Sequence, residues 1–242
     1  TGPHGREPKE MPLKKYPEIV FEEGKFDRND STNTYTQAGY TVSSNGYFSN
    51  GPTDLRQPWR AFNNNATGVD VWNDSPPHYD NGNGGAAKTS GVTPANPTTA
   101  VNGDGTTATG SYLGQFLQIK LPHKVKATKF RLASYTTQTN SYRAPKNGVI
   151  AGSNNGTTWD LLHKFDNQTS WTTGSYNEYA VTGTNANTHY KYFIVIVTST
   201  NSGTGGDGFT TIHEFDILGT QEDTGTPAIV GGPFAGKVAN FR

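Results

Sequence analysis

Cysteine is absent from all 242 residues, which excludes a disulfide framework, thiol catalysis and thiolate zinc sites. Methionine is nearly absent too, with Met11 alone. No run of about 18 apolar residues occurs, so no segment has the length to cross a bilayer as a helix. Charge of neither sign prevails: 20 Lys and Arg balance 20 Asp and Glu. Without a net field, nucleic acid and anionic membrane are not expected partners. Hydrophobic residues make up only 31%, against roughly 45–50% in ordinary globular chains by a count that includes glycine. Helical periodicity is missing as well, since no window keeps apolar residues at i, i+3, i+4 and i+7.

Gly, Asn, Ser and Thr fill the difference, a composition suited to short strands joined by long polar loops around a modest core. Residues 1–34 read as an extended lead-in, with Pro3, Pro8, Pro12 and Pro17 among many charges and a possible edge strand at Ile19-Val20-Phe21. In Phe116-Leu117-Gln118-Ile119-Lys120-Leu121 apolar and polar positions alternate, the period of a strand with one wet face. Lys129-Phe130-Arg131-Leu132 repeats the alternation, and residues 122–126 between them predict a hairpin. A strand at 149–153, the turn Asn154-Asn155-Gly156 and a strand at 159–165 follow. Residues 190–198 form the most apolar run and are expected to be buried on both faces, while 209–218 close the fold. Residues 74–112 hold almost no large apolar side chain and are expected to be an inserted loop outside the core. From 220 to 242 the chain reads as a linker and a strand of a neighbouring domain; residues 234–242 resemble the closing strand of laminin-G-like or lectin-like jelly rolls.

Three segments carry a wider likeness: Pro58-Trp59-Arg60-Ala61-Phe62-Asn63-Asn64-Asn65, Gly152-Ser153-Asn154-Asn155-Gly156-Thr157-Thr158-Trp159 and Thr211-Ile212-His213-Glu214-Phe215-Asp216-Ile217. In that order they resemble the signature of discoidin-like domains, the galactose-binding-like jelly rolls that include the coagulation-factor type C modules. Gly114-Gln115-Phe116-Leu117-Gln118-Ile119 and Ala144-Pro145-Lys146 match two further landmarks. The resemblance covers residues 35–219. The chain departs from the family pattern where Asn63 and Asn64 stand for Asp and Gly, and where two extra residues precede Trp72. It looks more like the cysteine-free microbial and viral versions, and its tail is similar to large multi-domain surface proteins of algal giant DNA viruses. The chain opens at Thr1, and we expect it to be a piece of a longer polypeptide.

The resemblance implies an all-β antiparallel sandwich that binds rather than catalyses, displayed on a cell or virion surface beside other domains of its parent. Many members hold a structural calcium ion where the loop after the first segment meets the last strand. Carried over, the ligands are the Asn63 side chain, the Glu214 carboxylate, the Asp70 or Thr67 region, and backbone carbonyls of Arg60, Asn65 and His213. Calcium takes about six to eight oxygens, amide and carbonyl oxygens among them. The other reading is a metal-free loop in which the Asn side chains make local turns.

In such modules ligands meet loops at one end of the sandwich, and the expected ligand is a glycan. Sugars need an aromatic face for their C–H surface and fixed polar groups for their hydroxyls. Two loops offer both: Asn45, Tyr47 and Phe48 in one, Asn140, Tyr142 and Arg143 in the other. Residues 200–208 are a candidate third wall. Tyr47 and Phe48 could equally serve loop packing, since single exposed aromatics are common. The Tyr47-Phe48 pair could also enter phospholipid, but no basic residue stands near it to meet anionic lipid. Trp59, Trp72 and Trp159 are expected in the core.

Catalytic signatures are lacking. The six histidines are scattered without a His-Glu-x-x-His pair, and neither a Gly-x-Ser-x-Gly elbow nor a Gly-Lys-Ser/Thr phosphate loop occurs. Glu178, Asp207 and Asp216 are available carboxylates, but nothing in the sequence brings two of them onto one glycosidic bond. The alternatives to a glycan-binding module are a structural capsid or fibre domain and an accessory domain of a sugar-active enzyme.

Overall fold

The structure, a computed structural model, describes residues 12–29, 31–49, 55–67, 71–73, 100–101, 112, 114–134, 141–201 and 208–223. Every regular element among them is a strand or a short 3-10 turn. The chain begins with β1 (Lys14–Tyr16), β2 (Asp27–Asn29), β3 (Thr34–Gln37) and β4 (Tyr40–Ser44). Short pieces follow: β5 (Phe48–Ser49), β6 (Leu55–Arg56), a 3-10 turn at Pro58–Phe62, β7 (Trp72–Asn73) and β8 (Ala100–Val101). The long strands are β9 (Gln115–Ala133), β10 (Pro145–Ser153), β11 (Trp159–Phe165) and β13 (Tyr190–Thr200), with β12 (Asn177–Ala180) between them. β14 (Thr211–Ile212) and β15 (Glu214–Gln221) close the fold.

β9 belongs to two layers. Its first half lies between β4 and β13 in a sheet ordered β2-β3-β4-β9-β13-β10-β11-β8, and its second half pairs with β15 and β12, with β1 on the far side of β15. The expected hairpin at 122–126 is therefore one strand that bends. Tyr192 pairs with Lys120 but Tyr190 pairs with Val125, so residues 121–124 bulge out of the ladder. Leu121, Val125 and Ala127 are buried in the core at this bend; a hairpin turn would carry them to solvent. The bulge keeps the apolar phase while the strand changes sheets.

Alternation does the rest. Phe193, Val195 and Val197 on β13 face the core between the layers, where Phe193 meets Phe130 of β9 with ring centroids 5.9 Å apart. Phe130 touches Phe215 of β15, and Phe215 touches Phe62 of the 3-10 turn, at 6.2 and 6.0 Å. The intervening Ile194 and Ile196 point to the other face and form a second buried cluster with Phe116, Val149, Ala151 and Trp159. So 190–198 is buried on both faces, as its composition predicts, and Trp159 lies in this second cluster instead of the main core. Trp59, Trp72 and Trp171 are buried in the main one.

Of the tract 74–112, residues 100–101 and 112 are described. Ala100–Val101 pairs in parallel with Trp159–Asp160, and Tyr112 packs on the second cluster. The first edge strand is β1, ahead of Ile19-Val20-Phe21; of that run Phe21 enters the core and Val20 is exposed. Gly114 sits where a Cβ would collide with the Val197 carbonyl oxygen, so the Gly-Gln landmark marks a close approach of two backbones. The turn at 154–156 forms as read, with Gly156 at φ +76°. Residues 224–242, including the lectin-like tail, lie outside the described residues. No helix among the described residues is long and apolar enough to cross a membrane.

Candidate functional site

The two loops singled out in the sequence each reach Phe209. β5 and β6 form a short antiparallel pair in which Phe48 stands opposite Arg56, and cross-strand neighbours share a face. The Arg56 guanidinium carbon accordingly lies 5.0 Å from the centre of the Phe48 ring. Phe48 then meets Phe209 edge-to-face, at 5.6 Å and 87°. Over Phe209 lies the Arg143 guanidinium, 5.4 Å from its centre and 5.9 Å from that of Tyr142. Arg143 belongs to the 3-10 turn Ser141–Arg143, and the Thr210 hydroxyl donates to its carbonyl at 3.2 Å. That bond ties the turn to the segment carrying Phe209. Phe48, Arg56, Tyr142, Arg143 and Phe209 are all half-buried. The result is a patch of aromatic faces and cationic edges drawn from segments far apart in the chain.

The other expected ligand residues have different placements. The Asn45 side-chain oxygen accepts the Phe116 amide at 3.0 Å and so fastens its loop to the start of β9. Beside it the Ser44 hydroxyl donates to the Gly46 carbonyl, which also accepts the Trp72 indole N–H at 3.0 Å. Tyr47 packs against the main core. Asn140 lies outside the described residues. Sequence reasoning passed over Arg56 and Phe209, and the expectation that no basic residue stands near Phe48 is corrected by the Arg56 guanidinium over its ring. Phe209 borders the candidate third wall at 200–208, but Arg56 carries no local signal; only its register opposite Phe48 reveals it.

A second constellation forms at the loop after Pro58–Phe62. Asn64 adopts φ +60°, which turns the following amide inward. The Asn65 N–H then donates both to Asn63 Oδ1 at 3.0 Å and to Glu214 Oε1 at 2.7 Å. Asn65 Oδ1 turns back to its own loop, accepting from the Thr67 amide and hydroxyl at 3.1 and 3.0 Å. Glu214 is 1% exposed. Burial pushes its carboxyl up to about 8, the Asn65 amide opposing and Asp216 adding to the shift. Asp216, on the same face of β15, pairs with Arg131 at 2.6 Å and lies 3.5 Å from Lys15. Lys15 also donates to Asn64 Oδ1 at 2.9 Å, joining β1 to the loop. The Arg60 guanidinium lies 4.6 Å from the Trp59 ring centre. His213 is buried, and its amide donates to the Ala133 carbonyl at 2.9 Å.

Among the described residues no group of three or more His, Cys, Asp or Glu could hold a metal, so a set built on imidazole or clustered carboxylates is not available at this loop. What the loop carries is amide, carbonyl and one carboxylate oxygen, the types of oxygen that calcium takes. Asn63 Oδ1 and Glu214 Oε1 both accept the Asn65 N–H, and Asn65 Oδ1 accepts from Thr67, the local turns of the metal-free reading. Asp70, the expected source of a second charge, lies outside the described residues.

No protein-family model matches the chain, and no curated protein matches it. Solved structures do. A fragment of a Bacteroides thetaiotaomicron protein described as a chitobiase superposes with a TM-score of 0.51 at 13% identity, over 83% of this chain and 98% of that one. The fold is an antiparallel β-sandwich, the architecture shared with that fragment. The C-terminal domain of a Bacteroides fragilis chitobiase is also similar, with a TM-score of 0.45 at 16% identity over 78% of this chain and 99% of its own. The family 32 CBM of Clostridium perfringens NanJ, solved in complex with galactose, gives 0.44 at 14% identity over 74% and 93%. At these identities the likeness concerns architecture alone. It agrees with the antiparallel sandwich expected from the sequence.

Proposed function

We propose that this chain is a non-catalytic carbohydrate-binding module. The observation that carries the reading is the convergence of Phe48 and Arg143, on loops nearly a hundred residues apart, on Phe209, with Tyr142 beside the Arg143 guanidinium. Half-buried rings beside fixed guanidiniums are the mixture that sugar recognition uses: apolar faces against C–H surface, N–H donors against oxygen. Arg56 extends the patch along the β5–β6 pair. The setting we propose is a cell or virion surface, where the module acts as one part of a longer polypeptide and meets glycans of a host or neighbouring cell.

Calcium has a supporting place in this reading. Asn63, Glu214 and the carbonyls of Arg60, Asn65 and His213, with Asp70, would hold it; the ion would pin the loop and keep Glu214 ionised. Its role is structural.

A glycan array probed with the chain tests the proposal. Selective binding that falls about tenfold or more in Phe48→Ala and Tyr142→Ala is expected, because each change removes ring surface from the patch. An array on which no glycan binds would overturn it.

A further inference from the structure

We propose that Asn201 is a positioning residue for the ligand patch: it clamps the Ala144 carbonyl and so sets where Tyr142 and Arg143 stand. This role rests on the carbohydrate reading of that patch and adds the device that holds one of its walls. The turn Ser141–Arg143 runs through Ala144 directly into β10. Whatever fixes residues 144–147 therefore fixes the turn at their head.

Those four residues are bound one after another by polar groups from outside β10. The β13 ladder is irregular there: Pro145 pairs with Thr200 and Asn147 with Ser199, with Lys146 skipped between them. The connection after β11 supplies other rungs. The Asn167 amide donates to Asn147 Oδ1 at 2.6 Å, and the Gln168 amide to the Lys146 carbonyl at 2.9 Å. The Trp171 indole N–H donates to the Pro145 carbonyl at 3.1 Å.

The rung at Ala144 is made by Asn201. Its backbone N–H donates to the Ala144 carbonyl at 2.9 Å, and its side-chain Nδ2 reaches the same oxygen at 3.4 Å. Nδ2 also donates to the Gln168 carbonyl at 2.9 Å. One amide group thus ties the end of β13, the start of β10 and the connection after β11 at a single point. Both neighbours are carbonyl oxygens, so only the NH2 end of the side chain can face them. Ala144 is fully buried, where an unmade bond costs more than at the surface. The Thr210 hydroxyl holds the preceding carbonyl, that of Arg143, at 3.2 Å. Two successive carbonyls behind Tyr142 are therefore gripped before any ligand arrives, which lowers the ordering cost of binding.

Asn201→Asp tests the role, because it keeps the size and the backbone bond but sets an anionic oxygen against two carbonyls. Leu162→Ala is the control: Leu162 belongs to the core and lies against Gly152, at the far end of β10. The first readout is backbone nitrogen-15 relaxation of the ligand-free chain, well below its melting temperature. Order parameters of residues 141–143 should fall from about 0.85 in the parent to below about 0.6 in Asn201→Asp, while those of 149–153 hold. The second readout is calorimetric titration with the tightest glycan from the array. Asn201→Asp should bind it about tenfold more weakly, whereas Leu162→Ala should keep the turn ordered and the affinity within about twofold. Asn201→Ala, which removes the donor without adding charge, gives the same readouts if the Asp variant does not fold. An ordered turn in the Asn201 variants, unchanged affinity despite a loosened turn, equal loosening in Leu162→Ala, or failure of both Asn201 variants to fold overturns the role. A blank array removes the carbohydrate reading, and relaxation alone then decides whether Asn201 holds the turn.

Discussion

Glu214 is the residue on which the second loop turns. Its carboxyl is raised from 4.5 to about 8 by burial, so between those values the folded chain binds a proton that the unfolded chain has released. Its contribution to stability is therefore complete below about pH 4.5 and is lost as pH rises towards 8. With chelator present, the melting temperature should fall from pH 5 to pH 8, and Glu214→Gln should flatten that slope. A slope that persists unchanged in the variant would remove Glu214 as its cause. Calcium should reverse the trend by favouring the ionised form: adding it at pH 8 should raise the melting temperature of the parent and do little for Glu214→Gln. Several residues at this scale were legible in advance. Asn63, Asn65 and Glu214 stand together as the discoidin-like spacing implied. Arg56 and Phe209 were not legible, because what assigns them is a neighbour across a strand pair or a loop, and neither is marked by its own flanking sequence.

At the scale of elements, β9 is the instructive one. Its apolar phase is visible on either side of Pro122, and a proline between two alternating runs reads naturally as a turn. What decides against the turn is the burial of Leu121 and Val125, which a bulge preserves and a hairpin would sacrifice. Leu121→Ala should thus cost about 2–5 kcal/mol in a denaturant melt, the range of a core truncation. A loss under about 0.5 kcal/mol, typical of a surface position, would fit a solvent-exposed turn instead. Gly114 makes a matching case at the start of the same strand. A methyl there meets the Val197 carbonyl, so Gly114→Ala should destabilise by about 1–3 kcal/mol. β8 was missed for a different reason: two paired residues inside a long polar tract give no periodicity to read.

For the whole molecule, the chain of rings from Phe193 through Phe130 and Phe215 to Phe62 joins both layers and the loop that carries Asn63. Phe193→Ala should cost about 3–5 kcal/mol. Because that contact bridges the layers, near-ultraviolet and far-ultraviolet signals should be lost together in one transition; separate transitions would mean that the layers fold as separate units. The sandwich was readable from alternation, turn chemistry and ordered landmarks. The patch proposed for the ligand was readable only in outline, since its segments are joined by tertiary contacts. The central claim is that the Phe48–Phe209 patch receives a glycan. Its most direct test is amide NMR of the labelled chain titrated with the tightest array ligand. Shifts centred on Phe48, Arg56, Tyr142, Arg143 and Phe209 are expected; shifts centred instead on the open groove formed by Lys14, Lys15, Pro17 and Val20, or no shifts at saturating ligand, would contradict it.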